Sequence, residues 1–161
     1  MTAATIPGKP RTIWEYTLRR RKVLEFREED RGGGPREIVN LLTGLGLHEE
    51  EQEHFMAVVL DTKHQVKGLY TVTIGLVDQC HVHSREVFRT AIMLGASRMV
   101  VAHNHPSGDP TPSAGDIACT RDLAAAGKII GIEVVDHIII GWPSEDRPDR
   151  MYVSFKEEKL F

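Results

Sequence analysis

Cysteine is scarce in this sequence. Of 161 residues only Cys80 and Cys119 are cysteine, too few for a disulfide framework, and neither stands in a CxxC pair of the kind that marks a zinc ribbon or a redox motif. Long apolar runs are missing as well. The most apolar stretch, Ile129 to Ile140, is broken by Glu133 and Asp136 and falls short of the roughly 20 apolar residues that a membrane helix needs. The opening residues, MTAATIPGKPRTIW, hold no apolar core of the length that marks a secretory signal. These absences set the expectation of a cytosolic protein with no membrane segment. Positive charge is not in surplus either: 20 Lys and Arg against 23 Asp and Glu give a net charge of -3, which argues against a surface built throughout to hold nucleic acid. Arg19, Arg20, Arg21 and Lys22 form a local basic cluster, but Glu25, Glu28, Glu29 and Asp30 follow closely, so a solvated helix face explains it.

What is present suits one ordinary domain, with 41% hydrophobic and 27% charged residues and enough length to bury a core. Residues 1–34 read as a partly flexible N-terminal extension ending in Gly32, Gly33, Gly34 and Pro35, a hinge composition; residues 35–161 read as the compact domain. Within it, Arg36 to Leu47 carries Ile38, Leu41, Leu42 and Leu45 at helical spacing, with Gly44 and Gly46 fraying the end. A short acidic loop, His48 to Gln52, follows. FMAVVL (Phe55 to Leu60) and the β-branched run Val66 to Val77 read as adjacent strands joined by a turn at DTKH. Ser84 offers an N-cap for a helix over Arg85 to Leu94, with Val87, Ala91 and Leu94 on one face and Gly95 at its close. RMVVAH reads as a buried strand, Ser113 to Ala126 as a helix capped by Ser113 and ended by Gly127, and IGIEVVDHIIIG as a further buried strand. Strands alternating with helices imply an α/β or α+β domain, helices packed on a mixed sheet.

The chemistry concentrates in HNHPSGDPTPSAGD, His103 to Asp116. On a strand, side chains alternate, so His103 and His105 point one way and Asn104 the other. Pro106, Pro110 and Pro112 restrict the following loop and Gly108 permits unusual dihedrals, so the chain can bend sharply and return. Ser113 then caps a helix, and Asp116 lies in its first turn, where a carboxylate is favoured. Two His and one Asp make three ligands of the type zinc accepts, leaving a fourth position open as in catalytic rather than structural sites. Capping alone explains Ser113 and Asp116 without any metal, and an HxH pair is a weak signal by itself.

The same stretch resembles the JAMM motif of JAB/MPN-domain metalloproteases: HxH, seven residues, Ser, two residues, Asp. In finer spelling it is similar to the bacterial RadC family, with further likeness in EHFMAVVLD, SREVFRTAI and LAAAGKIIGIEVVDHIIIG, together covering about Gln52 to Gly141. The resemblance implies the MPN, cytidine-deaminase-like fold, a central mixed sheet flanked by helices. It implies a Zn2+ held by His103, His105 and Asp116, with Ser113 helping to stabilise a developing oxyanion. It further implies an upstream glutamate as general base and then acid; Glu53 matches that placement best and Glu86 is its rival. Two departures stand out: the residues upstream are too few and too polar for the helix-hairpin-helix segment of full-length RadC proteins, and Ser84 stands where such chains commonly have Pro.

The function expected is therefore a zinc metallopeptidase or isopeptidase-like hydrolase acting on a protein or peptide substrate. The alternatives are a DNA-repair or recombination accessory, for which only Arg19 to Lys22 speak, and a non-catalytic MPN scaffold. An HNH nuclease is disfavoured because those nucleases spread the named residues through a ββα unit. A zinc deaminase needs HxE with PCxxC, which is absent. A second HxH, His81 and His83 beside Cys80, with Asp78 or Glu86 near in sequence, lacks a constraining loop and reads as surface or strand-end histidines. His137, in an apolar strand, reads as a histidine satisfied in the core or supporting the site.

Overall fold

The computed structural model describes residues 32–75, 82–143 and 151–160, together with Thr17, Arg19 and Arg21. Helix α1 (Pro35–Gly44) leads through a single 3-10 turn (Leu47–Glu49) into the hairpin of β1 (Glu53–Leu60) and β2 (Val66–Gly75); α2 (Ser84–Met93), β3 (Arg98–Asn104), α3 (Ala114–Ile130), β4 (Glu133–Ile140) and β5 (Tyr152–Ser154) follow. The strands form one sheet in the order β2-β1-β3-β4-β5. Only β3 and β4 run parallel, joined by α3 as a crossover; the other pairs are antiparallel. This is the expected mixed sheet flanked by helices. No helix among the described residues is long and apolar enough to cross a membrane.

The two faces of the sheet are both covered, which is why FMAVVL is an unbroken apolar run rather than an alternating one. Met56, Val58, Leu60, Val100, Ala102, Ile138 and Ile140 face α1 through Ile38, Leu41 and Leu42. Phe55, Ala57, Met99 and Val101 face α2 and α3 through Val87, Phe88, Ala91, Cys119 and Leu123. Cys119 is thus a core residue; Cys80 and the pair Asp78 and His81 lie outside the described residues.

Several boundaries differ from the sequence expectation, each for a local reason. Helix α1 stops at Gly44, because Gly46 turns into the left-handed region at φ 84°. The N-cap of α2 is His83, not Ser84, which is already the first helical residue; no side chain caps this end. Helix α3 runs past Gly127 to Ile130 and ends at Gly131, whose φ of 82° marks the true C-terminal reversal. Gly127 serves packing instead: a Cβ there would lie 2.5 Å from the Ile132 carbonyl oxygen and 3.3 Å from Phe88. Beside the β1–β2 turn, Gly32 is bridged to Gln65, and a Cβ at Gly33 would lie 2.5 Å from the His64 carbonyl oxygen. Strand β5 was not foreseen. It is held by buried Asp136, which accepts from the Ser154 hydroxyl at 2.6 Å and from the Lys156 backbone N–H at 3.0 Å.

Candidate metal centre

Strand alternation does what the spacing predicts. His103, fully buried, and His105 leave β3 on the α3 side of the sheet, and their Nε2 atoms stand 3.0 Å apart. The chain then turns through Gly108, at φ 80°, where the Trp142 ring occupies the space a Cβ would need. The loop returns so that the Asp109 carbonyl meets His105 Nδ1 at 2.6 Å. Asp109 in turn accepts from the Thr111 backbone and hydroxyl at 3.0 and 2.7 Å, which stiffens the bend. A prolyl-rich loop with an internal carboxylate brace delivers the next helix to the site.

That helix begins with a reciprocal cap. The Asp116 N–H donates to Ser113 Oγ at 3.1 Å while the Ser113 N–H donates to Asp116 Oδ2 at 2.7 Å. The Ser113 hydroxyl also reaches Oδ2 at 2.7 Å. Capping and ligation are therefore not rivals for this carboxylate. Oδ2 closes the box, while Oδ1 lies 3.3 Å from His103 Nε2; Oδ2 itself is 3.7 Å from His105 Nε2. One donor atom from each of His103, His105 and Asp116 falls within 4.8 Å of the others, a group able to hold a metal ion.

Whether the residues suit a cation is decided by their protons. A carbonyl oxygen only accepts, so the 2.6 Å contact with Asp109 places the His105 proton on Nδ1 and leaves Nε2 as a lone pair in the neutral ring. That lone pair looks at His103 Nε2 and at a carboxylate. Acceptors so placed need a positive centre among them, either a proton or a cation. The electrostatics agree. Burial acts to lower the His105 pKa, but Asp116, the Asp109 carbonyl and the charge of Glu53 together raise it above 6.5. Burial likewise acts to raise Asp116, yet His103, His105 and the Ser113 hydroxyl hold it well below the usual carboxylate range. The pocket favours positive charge despite being buried, and the donor set fits zinc.

Glu53 is the first residue of β1. Two residues on, Phe55 pairs with His103 across the strands and stacks on its ring at 5.8 Å. Alternation puts Glu53 on that same face, close enough for its charge to act on His105. Glu86 lies in the first turn of α2, 3.5 Å from both Arg85 and Arg89. His83 is exposed at the N-cap of that helix. In the basic cluster, Arg19 and Arg21 are exposed, and Arg20 and Lys22 lie outside the described residues.

Asn104 and Thr120 gained significance only in the structure, whereas His137 is buried and supports the site as its place in an apolar strand leads one to expect. Asn104, fully buried on the opposite face from the histidines, accepts from the His54 N–H at 2.8 Å and donates to the carbonyls of Glu50 and Gln52 at 3.1 and 3.0 Å. It fastens the turn that carries Glu53. His137, also fully buried, stands with Nε2 2.8 Å from His103 Nδ1 and its ring stacked on Phe155 at 4.7 Å. Burial, reinforced by His103, lowers its pKa well below 6.5, so it is neutral. Thr120 meets the other nitrogen of His137 at 2.5 Å. For Asn104 the available signal was a polar residue at the end of an apolar strand, between two histidines.

Sheet order, loop and a His-His-Asp group able to hold a metal ion are together those of a JAB-type domain. The RadC-like JAB domain model matches residues 34–160, and the chain belongs to that family. Similar proteins include the UPF0758 protein of Desulforamulus reducens, 47% identical over 114 residues, which cover 71% of this chain and 47% of that protein. The UPF0758 protein of Geobacillus thermodenitrificans is 50% identical over 107 residues, 66% of this chain and 44% of its own. That of Moorella thermoacetica is 44% identical over 126 residues, 78% and 52% respectively. The chain spans about half the length of the curated relatives it matches.

Proposed function

We propose that this domain is a zinc-dependent hydrolase of the peptidase or isopeptidase type, acting on a protein or peptide substrate in the cytoplasm. The observation that carries the reading is the convergence of His103, His105 and Asp116 within 4.8 Å, the first in β3, the second one residue past its end and the third in the capped first turn of α3. Three protein donors leave a coordination position open, the mark of catalytic rather than structural zinc. Bound there, zinc supplies Lewis acidity, which makes water a nucleophile near neutral pH and polarises a carbonyl. Glu53, on the face of the ligands, takes the proton of the attacking water and returns it to the leaving amine. Ser113, exposed at the helix start, turns its hydroxyl from Asp116 Oδ2 toward the developing oxyanion, while its backbone N–H keeps the cap.

Elemental analysis of the purified wild type beside His103→Ala and Asp116→Ala tests the metal. The expected result is about one zinc per chain, the number a single site holds, lost in both variants. Glu53→Gln is expected to keep the zinc and lose turnover on peptide and isopeptide substrates. A folded wild type that takes up no zinc when it is supplied refutes the reading, and undiminished turnover in Glu53→Gln removes that residue as the base.

A further inference from the structure

Behind the ligands runs a chain of four polar groups whose hydrogen-bond directions are fixed by one carbonyl. The Thr120 hydroxyl lies 2.6 Å from the backbone oxygen of Asp116. A carbonyl can only accept, so the hydroxyl proton points there. Thr120 Oγ1 has then no proton for His137 Nδ1, 2.5 Å away, and must accept from it. His137 carries its proton on Nδ1, and its Nε2 is a lone pair. Facing that lone pair at 2.8 Å is His103 Nδ1, which must therefore carry the proton of His103. The remaining nitrogen, His103 Nε2, is left bare toward His105 and Asp116.

We propose that Thr120 and His137 are positioning residues that lock His103 in its Nδ1–H tautomer, presenting Nε2 to the metal. The proposal rests on the reading of His103, His105 and Asp116 as zinc ligands. The chain begins at the backbone of one ligand, Asp116 on α3, passes through β4, and ends on another, His103 on β3. It thus ties the helix to the strand as well as fixing a proton. All four groups are buried, with His103, Thr120 and His137 at 0% exposure and Asp116 at 4%, so water cannot substitute for a missing member. His137 is also held in orientation by Phe155 on its ring and Phe55 at its edge. His105 obtains the same tautomer by a separate device, the Asp109 carbonyl.

The test compares the full chain with Thr120→Val, which keeps the side-chain shape and removes the hydroxyl, and with Thr120→Ser, which restores it. Long-range 1H–15N correlation spectra of the zinc-free proteins, at about pH 8.5 where an ordinary histidine is neutral, report the tautomer of each ring. Competition with a chromogenic chelator, using zinc alone, reports affinity. Wild type is expected to show His103 as Nδ1–H. Thr120→Val leaves His137 Nδ1 without an acceptor, so its proton moves to Nε2 and forces that of His103 to its own Nε2. Zinc affinity is then expected to fall roughly 10- to 100-fold, the usual size for losing an outer partner of a ligating histidine, and Thr120→Ser to recover both readouts. A wild-type His103 protonated on Nε2 overturns the proposal, as does a Thr120→Val protein in which either readout fails to move. Should Thr120→Val not fold, the wild-type tautomer decides alone. Absence of zinc binding by wild type would sink the metal reading, whereas the spectra judge the lock with no metal present.

Discussion

Replacing Asn104 by Ala should separate stability from metal binding, because this side chain and the histidines beside it serve opposite faces of β3. Asn104 makes three bonds to the backbone before and within β1: to the Glu50 and Gln52 carbonyls and from the His54 N–H. A neutral hydrogen bond is worth about 1 kcal/mol net, so the three sum to about 3 kcal/mol. Glu50 and Gln52 are exposed, and water can reach their freed carbonyls, which offsets part of the loss. The small void left behind acts in the other direction. A loss of about 2–3 kcal/mol is expected, corresponding to a Tm lower by roughly 5–10 °C for a chain of this size. Denaturant unfolding with linear extrapolation measures it, and chelator competition on the same samples measures zinc affinity. Affinity should remain near wild type, since no ligand touches Asn104. Turnover should fall with the loosened turn around Glu53. A stability loss under about 0.5 kcal/mol, the scale of ordinary surface substitutions, would refute the accounting.

Three further perturbations test separate parts of the structure. Gly127→Ala improves intrinsic helix propensity by about 1 kcal/mol, but its Cβ would meet the Ile132 carbonyl oxygen at 2.5 Å; unfolding experiments should show a net loss of about 1–2 kcal/mol, and a stabilised variant would disprove the contact. Asp136 has its pKa raised above 3.8, burial outweighing the bonds from Ser154, Lys156 and His137. A carboxyl raised on folding stabilises the protein below its unfolded pKa and loses that contribution as pH rises through the folded value. The stability difference between wild type and Asp136→Asn should therefore shift against wild type as pH climbs from 3.8, and a pH-independent difference would contradict it. For His105, raised above 6.5 by Asp116, Asp109 and Glu53 against the opposing effect of burial, the proton competes with zinc. Zinc affinity measured against pH should begin to fall above pH 6.5 on acidification, and an affinity flat down to pH 6 would count against His105 as a ligand.

Much of the fold was legible because the elements obey simple periodicities. FMAVVL and RMVVAH are short, apolar runs that read as strands, the second as a buried one, and the sheet order sets both inside its edges. The helix ends were harder. Gly127 and Gly131 look alike in sequence, and only the approach of the β4 entry, with Ile132 against Gly127, shows that the first is packed inside the helix and the second reverses it. Strand β5 escaped notice because three residues carry no period; what fixes it is Asp136, a partner 18 residues before Ser154.

The candidate metal site divides along the same line between local and non-local causes. His103 and His105 share a face because the strand period is two, and Asp116 lies in a first turn because Ser113 caps it, so all three proposed ligands follow from neighbours within 14 residues of chain. Their supports do not. His137 reaches His103 across the parallel β3–β4 pair, in which Val101 stands opposite His137 and Ala102 opposite Ile138; nothing near residue 103 announces a partner 34 positions later. Thr120 is one turn after Asp116, where a hydroxyl in a helix ordinarily bonds the carbonyl four residues back and nothing more. Only the sheet order, which sets β4 between β3 and β5 under α3, turns that routine bond into the start of a proton-ordered chain. Which residues stand as proposed ligands is thus written locally, whereas the tautomer proposed for His103 depends on the topology.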